Sequence, residues 1–352
     1  MHRITSIFLF ITVITGTIIV LSTENWFIIW VGLELSTLAL VPILCTNFTP
    51  RTIEASIKYF LIQALSAALL LNGALIQAWT TGSWSILEPT NTVTTISLSI
   101  ALAFKLGLAP CHFWFPDVLQ GLPFTQGLII STWQKIAPLI ILFSFSTLIF
   151  SYLIIISGLL SVLIGGIGGL NQTQIRKILA FSSIAHMGWI VTTSIYSFNA
   201  ALVMLTLYLI INTSLFLLSD FLNIFTLGHL NTTSQLSPLS SSLLILIVLS
   251  LGGLPPLTGF MVKFASLYCL IGNNFIFLSS LLIIGSLLSL FFYLRIAFNA
   301  SLLLFPHHIV GLSSWRNSPL TTPLSIKTWA IATLTVLSTI AAPLALPLYM
   351  TI

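Results

Sequence analysis

Apolar runs of roughly twenty residues follow one another along the whole chain, parted by short breaks rich in Gly, Pro, Asn, Ser and Thr. A transmembrane helix rises 1.5 Å per residue and needs around twenty mostly apolar positions to cross a bilayer. On that measure the pattern predicts spans at 3–22, 26–45, 55–79, 93–110, 125–145, 149–170, 176–196, 200–221, 241–269, 275–299 and 326–347. The breaks carry turn chemistry, as in Asn47-Phe48-Thr49-Pro50, Thr81-Gly82-Ser83, Gly121-Leu122-Pro123 and the polar stretch 231–242. The expected fold is an all-α polytopic membrane protein of about eleven transmembrane helices, with no soluble module. The first apolar run reaches Leu21 without a small-residue cleavage pattern, so it is expected to be a span and not a signal peptide. An Arg- and Ser-rich transit segment is not expected either.

Composition agrees with lipid as the solvent. Of 352 residues, 57% are hydrophobic and 5% charged, against roughly a quarter charged in a soluble domain. Such a chain cannot cover itself with polar surface, and membrane lipids must surround it. The net charge is +5, but the bases form no tract or stripe, which argues against a nucleic-acid partner. Cys45, Cys111 and Cys269 lie far apart in or beside apolar runs. They are expected to be small packing residues, not a disulfide framework or a metal site.

Charge placement orients the spans. With the N-terminus on side one, that side's flanks and loops hold Arg3, Arg51, Lys58, Arg176, Lys177, Arg295, Arg316 and Lys327. The loops of the other side hold Glu24 and Glu88 and no base. The positive-inside rule then puts the N-terminus on the matrix or cytoplasmic face.

Three lysines fall inside apolar spans: Lys105, Lys135 and Lys263. Glu34 sits about nine residues from either end of its own span, close to the bilayer midplane. An ionisable group at that depth costs at least a few kcal/mol unless it faces a partner or water. Desolvation favours the neutral amine and a nearby carboxylate favours the ammonium, so a buried lysine can be poised to bind and release a proton. Arginine could not do this, because it does not deprotonate in a protein. Glu34 is the one midplane acid and the natural partner for one of the lysines. His186 lies near mid-span, where imidazole could relay protons or simply be a hydrogen-bonded core residue.

Helix breakers flank two of these lysines. Gly107, Pro110 and Pro116 follow Lys105, and Gly252, Gly253, Pro255, Pro256 and Gly259 precede Lys263. Interrupted spans at corresponding positions of two halves are the signature of discontinuous helices at a transporter's ion site. Taking spans 1–5 and 6–10 as repeats, the interrupted ones are the fourth of each; five is odd, so the second repeat would run inverted. The expected division is 1–145, 146–300 and a final loop and helix over 301–352. Several other features carry blander readings. Glu54 and Lys58 are four apart near a helix start and read as a local ion pair. His112 and Asp117 flank the exit of the broken fourth span, and His307 with His308 is a weak metal signal in a long loop. The run GGIGGL at 165–170 lacks a strand-turn-helix context, so its small residues are expected to let helices pack closely.

Several stretches together resemble a known family, the mitochondrially encoded chain 2 of NADH–ubiquinone oxidoreductase, respiratory complex I. They are ENWFIIWVGLELSTLALVPIL at 24–44, EASIKYFLIQALSAALLL at 54–71 and FKLGLAPCHFWFPDVLQGLPFTQGLIISTWQKIAPL at 104–139. GLNQTQIRKILAFSSIAHMGW at 169–189 and LSLGGLPPLTGFMVKF at 249–264 complete the match. The run around Lys105 and Lys135 and the motif GLPPLTGF are highly specific; the tail after about Pro306 adds little.

The resemblance implies an antiporter-like fold of inverted five-helix repeats with two discontinuous helices. It implies a place in the inner mitochondrial membrane, matrix-side N-terminus, beside other complex I membrane subunits that include antiporter-like paralogues. Glu34 matches the family's glutamate that pairs with a lysine, and Lys105 matches that lysine. Lys135 matches the central connecting lysine and Lys263 the outlet-side lysine on the broken helix, where glutamate would point to the chain 4 paralogue. Bacterial relatives carry three further N-terminal helices without a counterpart here. The chain itself is expected to hold no cofactor, since NADH, FMN, iron–sulfur clusters and ubiquinone would sit in other subunits. The expected function is proton translocation coupled to NADH oxidation and ubiquinone reduction elsewhere in the complex. The competing readings are a stand-alone cation/proton antiporter and a passive structural subunit.

Overall fold

The computed structural model describes residues 3–86, 91–146, 151–230, 238–255, 257–301 and 326–340. Glu88, Pro256, His307, His308 and Arg316 lie outside the described residues, as do the side chains of Arg3 and Lys327. The described chain is helical throughout, with two isolated β-bridges between loops. It divides into two compact units, Met1–Ser161 and Val162–Ile352.

The first unit begins with α1 (Arg3–Ser22), α2 (Trp26–Leu44) and α3 (Pro50–Thr81). The third helix starts five residues earlier than the apolar run alone predicts, because polar residues there supply helix-start chemistry. Thr49 caps the helix, its hydroxyl accepting from the Thr52 amide while Thr52 reaches back to the Thr49 N–H, and Pro50 takes the first turn. The helix thereby carries Glu54 and Lys58 on its first turns. These pair at 2.8 Å as their spacing predicts, and Lys58 also reaches Asp117 at 3.6 Å.

The fourth expected span is broken. α4 (Thr92–Leu106) stops where Gly107 takes φ +70°, a left-handed conformation that costs other residues. The chain resumes as α5 (Trp114–Gly121). Pro116 fits its first turn, where a missing N–H costs no helical bond. The fifth span holds an interruption that periodicity does not foretell. α6 (Phe124–Ser131) and α7 (Trp133–Ser146) are separated by Thr132. Pro138 lies inside α7, where its ring crowds the carbonyl four residues back, at Gln134. The Lys135 amide turns to the Thr132 carbonyl, a three-residue step that tightens the helix just before the proline.

The unit boundary falls inside α8 (Ser151–Leu170). The second unit continues with α9 (Ile175–Ser194), α10 (Phe198–Phe221), α11 (Pro238–Gly252), α12 (Thr258–Gly272), α13 (Ile276–Ser301) and α14 (Ile326–Ile340). The expected span 241–269 is thus two helices, parted where Gly253 takes φ +78°. The glycine run at 165–170 does serve close packing. A β-carbon on Gly165 would stand 2.8 Å from the Ala185 nitrogen of α9, and one on Gly166 would stand 2.9 Å from the Gly285 oxygen of α13.

Among the described residues, seven apolar helical stretches are long enough to cross a membrane, counting 124–144 across the Thr132 interruption as one, and four shorter apolar helices include halves of the broken spans. Phe8, Phe60, Tyr152, Phe277 and Phe291 stand exposed on the helix surfaces, as a lipid-facing perimeter requires. The loops pair by side, as the alternation of spans demands. The Trp26 amide donates to the Trp84 carbonyl at 2.9 Å, joining the loops before α2 and α4. The Ile175 amide donates to Phe225 at 3.1 Å, joining the loop before α9 to the one after α10. Arg295 donates to the Leu170 carbonyl at 2.9 Å, so a predicted side-one base binds a predicted side-one loop.

Candidate functional site

In the first unit, Glu34 is the ninth residue of the nineteen in α2, Lys105 stands in the last turn of α4, and Lys135 follows the interruption at the head of α7. Lys105 and Lys135 are 6% and 2% exposed, so both lysines lie deep among helices and neither snorkels to a surface. They line one small cavity together with Thr37, Tyr59, Gln63, Trp114, Phe115 and Gln134. Its volume, measured to the centre of a water-sized sphere, is ≈ 10 Å³. The break after α4 shapes the cavity. Trp114, the first residue of α5, donates its indole N–H to the Phe104 carbonyl at 3.1 Å. Next to it, the Phe115 ring centre lies 4.4 Å from the Lys135 Nζ, a cation–π contact for a buried ammonium.

Glu34 is placed differently from a simple ion pair. No direct ion pair joins it to Lys105; its half-buried carboxylate instead accepts a hydrogen bond from the Thr37 hydroxyl at 3.2 Å. The expected direct pairing of Glu34 with Lys105 is not formed in this structure.

In the second unit, Lys263 stands in α12 but turns back across the break. Its Nζ donates to the Gly252 carbonyl at 2.8 Å, at the C-terminal end of α11. That end carries unsatisfied carbonyls and a partial negative charge, which suits an ammonium. Lys105 likewise sits at a helix C-terminus, so each broken span places its lysine at the open end of the leading half-helix. His186 on α9 has its Nε2 3.4 Å from the Tyr293 hydroxyl of α13. Its ring lies 5.7 Å from that of Tyr208 on α10, whose hydroxyl accepts from Asn212 at 3.1 Å. Ser182 and Ser183, one turn before His186, donate to the Leu179 and Ala180 carbonyls at 2.8 and 2.7 Å.

The sequence reading missed Tyr59, Gln134 and Phe115 in the first unit and Tyr208, Asn212 and Tyr293 in the second. A signal for the first group did exist. Ser56, Tyr59, Gln63 and Ser66 are all buried and recur at three- and four-residue spacing on one face of α3, a polar stripe inside a membrane helix.

The sequence profile of the NADH:quinone oxidoreductase/Mrp antiporter transmembrane family matches residues 23–289, and that of the NADH dehydrogenase subunit 2 C-terminus matches 290–349. NADH-ubiquinone oxidoreductase chain 2 of Strongylocentrotus purpuratus is 72% identical over 349 residues, covering 99% of each chain. The chain belongs to the NADH-ubiquinone oxidoreductase chain 2 family. A chain 2 relative from Paracentrotus lividus is 68% identical over the full length of both chains. Among solved structures, a chain of respiratory complex I from Thermus thermophilus with bound aureothin superposes with a TM-score of 0.87 at 26% identity. The match covers 99% of this chain and 80% of that one. A chain of the Mrp complex from Dietzia sp. shares the fold at TM-score 0.82 and 19% identity, over 97% and 76% of the two chains. Membership in the chain 2 family makes this a multi-pass, antiporter-like membrane protein.

Proposed function

We propose that this chain is a proton-translocating membrane subunit of respiratory complex I, in the inner mitochondrial membrane with its N-terminus on the matrix side. The observation that carries the reading is the buried cavity shared by Lys105 and Lys135, with the Glu34 carboxylate not in ion-pair contact with Lys105. An approach of that carboxylate favours the ammonium form of Lys105, and its withdrawal favours release of a proton. A movement of α2 against α4 that brings the two groups into contact strengthens their interaction, which varies inversely with their separation. In a poorly solvated site that interaction is weakly screened. Lys105 then exchanges its proton with Lys135, and Lys263 passes one toward the outlet with His186 and its tyrosines as relay.

The energy comes from outside the chain. NADH oxidation and ubiquinone reduction belong to other subunits, and a neighbouring membrane subunit moves Glu34. The chain is an enzyme in the sense of a translocase component. The Thermus relative, a chain of complex I, supports membership of such an assembly, with antiporter-like paralogues as partners.

The test is the proton-to-electron ratio of assembled complex in proteoliposomes after Lys105→Met, with assembly checked on a native gel. Redox turnover and pumping falling together in an assembled complex is the expected result. Wild-type values of both would make Lys105 a packing residue and end the proton-channel reading. Sodium–proton exchange by the purified chain without redox partners would favour a stand-alone antiporter instead.

A further inference from the structure

We infer that Tyr59 is a positioning residue of the channel: its hydroxyl, with the Gln134 amide, holds the single water through which Lys105 and Lys135 exchange a proton. The inference deepens the proton-channel reading and rests on it. Three residues that line the cavity each carry a buried polar atom without a hydrogen-bond partner: the Tyr59 hydroxyl, the Lys105 Nζ and the Gln134 Nε2. Buried polar groups are almost always hydrogen-bonded, to protein or to ordered water. The cavity, ≈ 10 Å³ to the centre of a water-sized sphere, has room for about one water, and two to four polar partners are what such a water needs.

Donor and acceptor chemistry singles out Tyr59. The Lys105 ammonium and the Gln134 Nε2 only donate, so a water between them accepts from both and must place its own protons elsewhere. The Thr37 hydroxyl has spent its one proton on Glu34, at 3.0 Å from its carbonyl and 3.2 Å from its carboxylate, so toward the water it can only accept. The phenol of Tyr59 can both accept and donate. Its ring is also fixed: it packs 6.0 Å from Trp114, whose indole is itself tied to the Phe104 carbonyl. The hydroxyl is therefore held in place by the same break that ends α4 beside Lys105.

The step balances without any other reactant. An N–H bond of the Lys105 ammonium breaks as its proton joins the water oxygen, and one of the water's O–H bonds breaks as that proton joins the neutral Lys135 Nζ. Lys105 ends as the amine, Lys135 as the ammonium, and the water is regenerated. Tyr59 keeps its proton throughout and fixes the direction in which the water's hydrogens point.

The test is Tyr59→Phe in the assembled complex, which removes the hydroxyl and keeps the ring against Trp114. NADH-driven proton uptake and quinone reduction are measured across pH, with Lys105→Met in parallel. Turnover per assembled complex falling about tenfold, with a displaced pH profile, is the expected result for a misplaced proton donor. Wild-type rates and profile for Tyr59→Phe, with Lys105→Met still inactive, overturn the role of Tyr59 and leave the channel reading standing. Wild-type behaviour of both variants removes both. Should Tyr59→Phe fail to assemble, Gln134→Leu decides by the same readout. A fall in turnover with a displaced profile then supports the inference, and an unchanged profile overturns it.

Discussion

The three lysines are held by different means. Lys263 has a carbonyl in hydrogen-bond contact, Lys135 has an aromatic face, and Lys105 has a distant carboxylate beside a water-sized cavity. These surroundings predict different sensitivities. A buried cation–π contact is worth about 0.5–2 kcal/mol, so Phe115→Leu is expected to slow NADH-driven proton uptake by about 2- to 30-fold. Stopped-flow proton uptake into proteoliposomes measures this, and an unchanged rate would show that Phe115 only fills space. For Glu34, charge matters more than contact, since no ion pair exists to be broken. Glu34→Gln keeps the volume and the acceptor for Thr37 yet removes the charge. It is expected to impair pumping as Lys105→Met does, with normal assembly on a native gel, while Glu34→Asp retains part of the activity. The charged positions were legible in the sequence because lipid makes any buried ionisable group conspicuous. Tyr59 and Gln134 were not, because a polar but uncharged side chain stands out only once its neighbours are known.

At the scale of elements, the broken spans followed from Gly107 and from the cluster between Gly252 and Gly259, since left-handed backbone and missing N–H groups end helices wherever they occur. The one-residue interruption at Thr132 did not follow, because a lone proline in a membrane helix is compatible with a mere kink. The glycines of the second break serve two separate purposes. Gly253 has φ +78°, and a β-carbon there would stand 3.0 Å from the Lys263 Nζ. Gly253→Ala is expected to cost about 1–2 kcal/mol of backbone strain and to push Lys263 off the Gly252 carbonyl. A lowered thermal midpoint of the assembled complex together with reduced pumping would be its signature. Gly259 is tighter still, for a β-carbon there would run into the Ser250 carbonyl oxygen, which belongs to the backbone of α11. Gly259→Ala is expected to leave no assembled complex on a native gel, and normal assembly would show that α11 and α12 can separate.

For the whole molecule, the alternation of basic and base-free loops and the pairing of loops by predicted side describe the same topology. A direct check labels single cysteines with a membrane-impermeant maleimide. Asn171→Cys, in the loop before α9, is expected to react from the matrix face. Gly272→Cys, where an added side chain meets open space, is expected to react from the opposite face. Reaction of both from one face would break the span count between them.

By itself the sequence determined the membrane class, the order of the spans, the two broken helices and the buried charges. Each follows from local rules: apolar length against bilayer thickness, glycine and proline against helix geometry, and the cost of an ion in hydrocarbon. Only the tertiary structure decided what those charges face. The distance that keeps Glu34 off Lys105, the ring under Lys135, the carbonyl that takes Lys263 and the cavity beneath Tyr59 each join residues far apart in the chain. Such contacts are set by how helices pack side against side, which span periodicity leaves free.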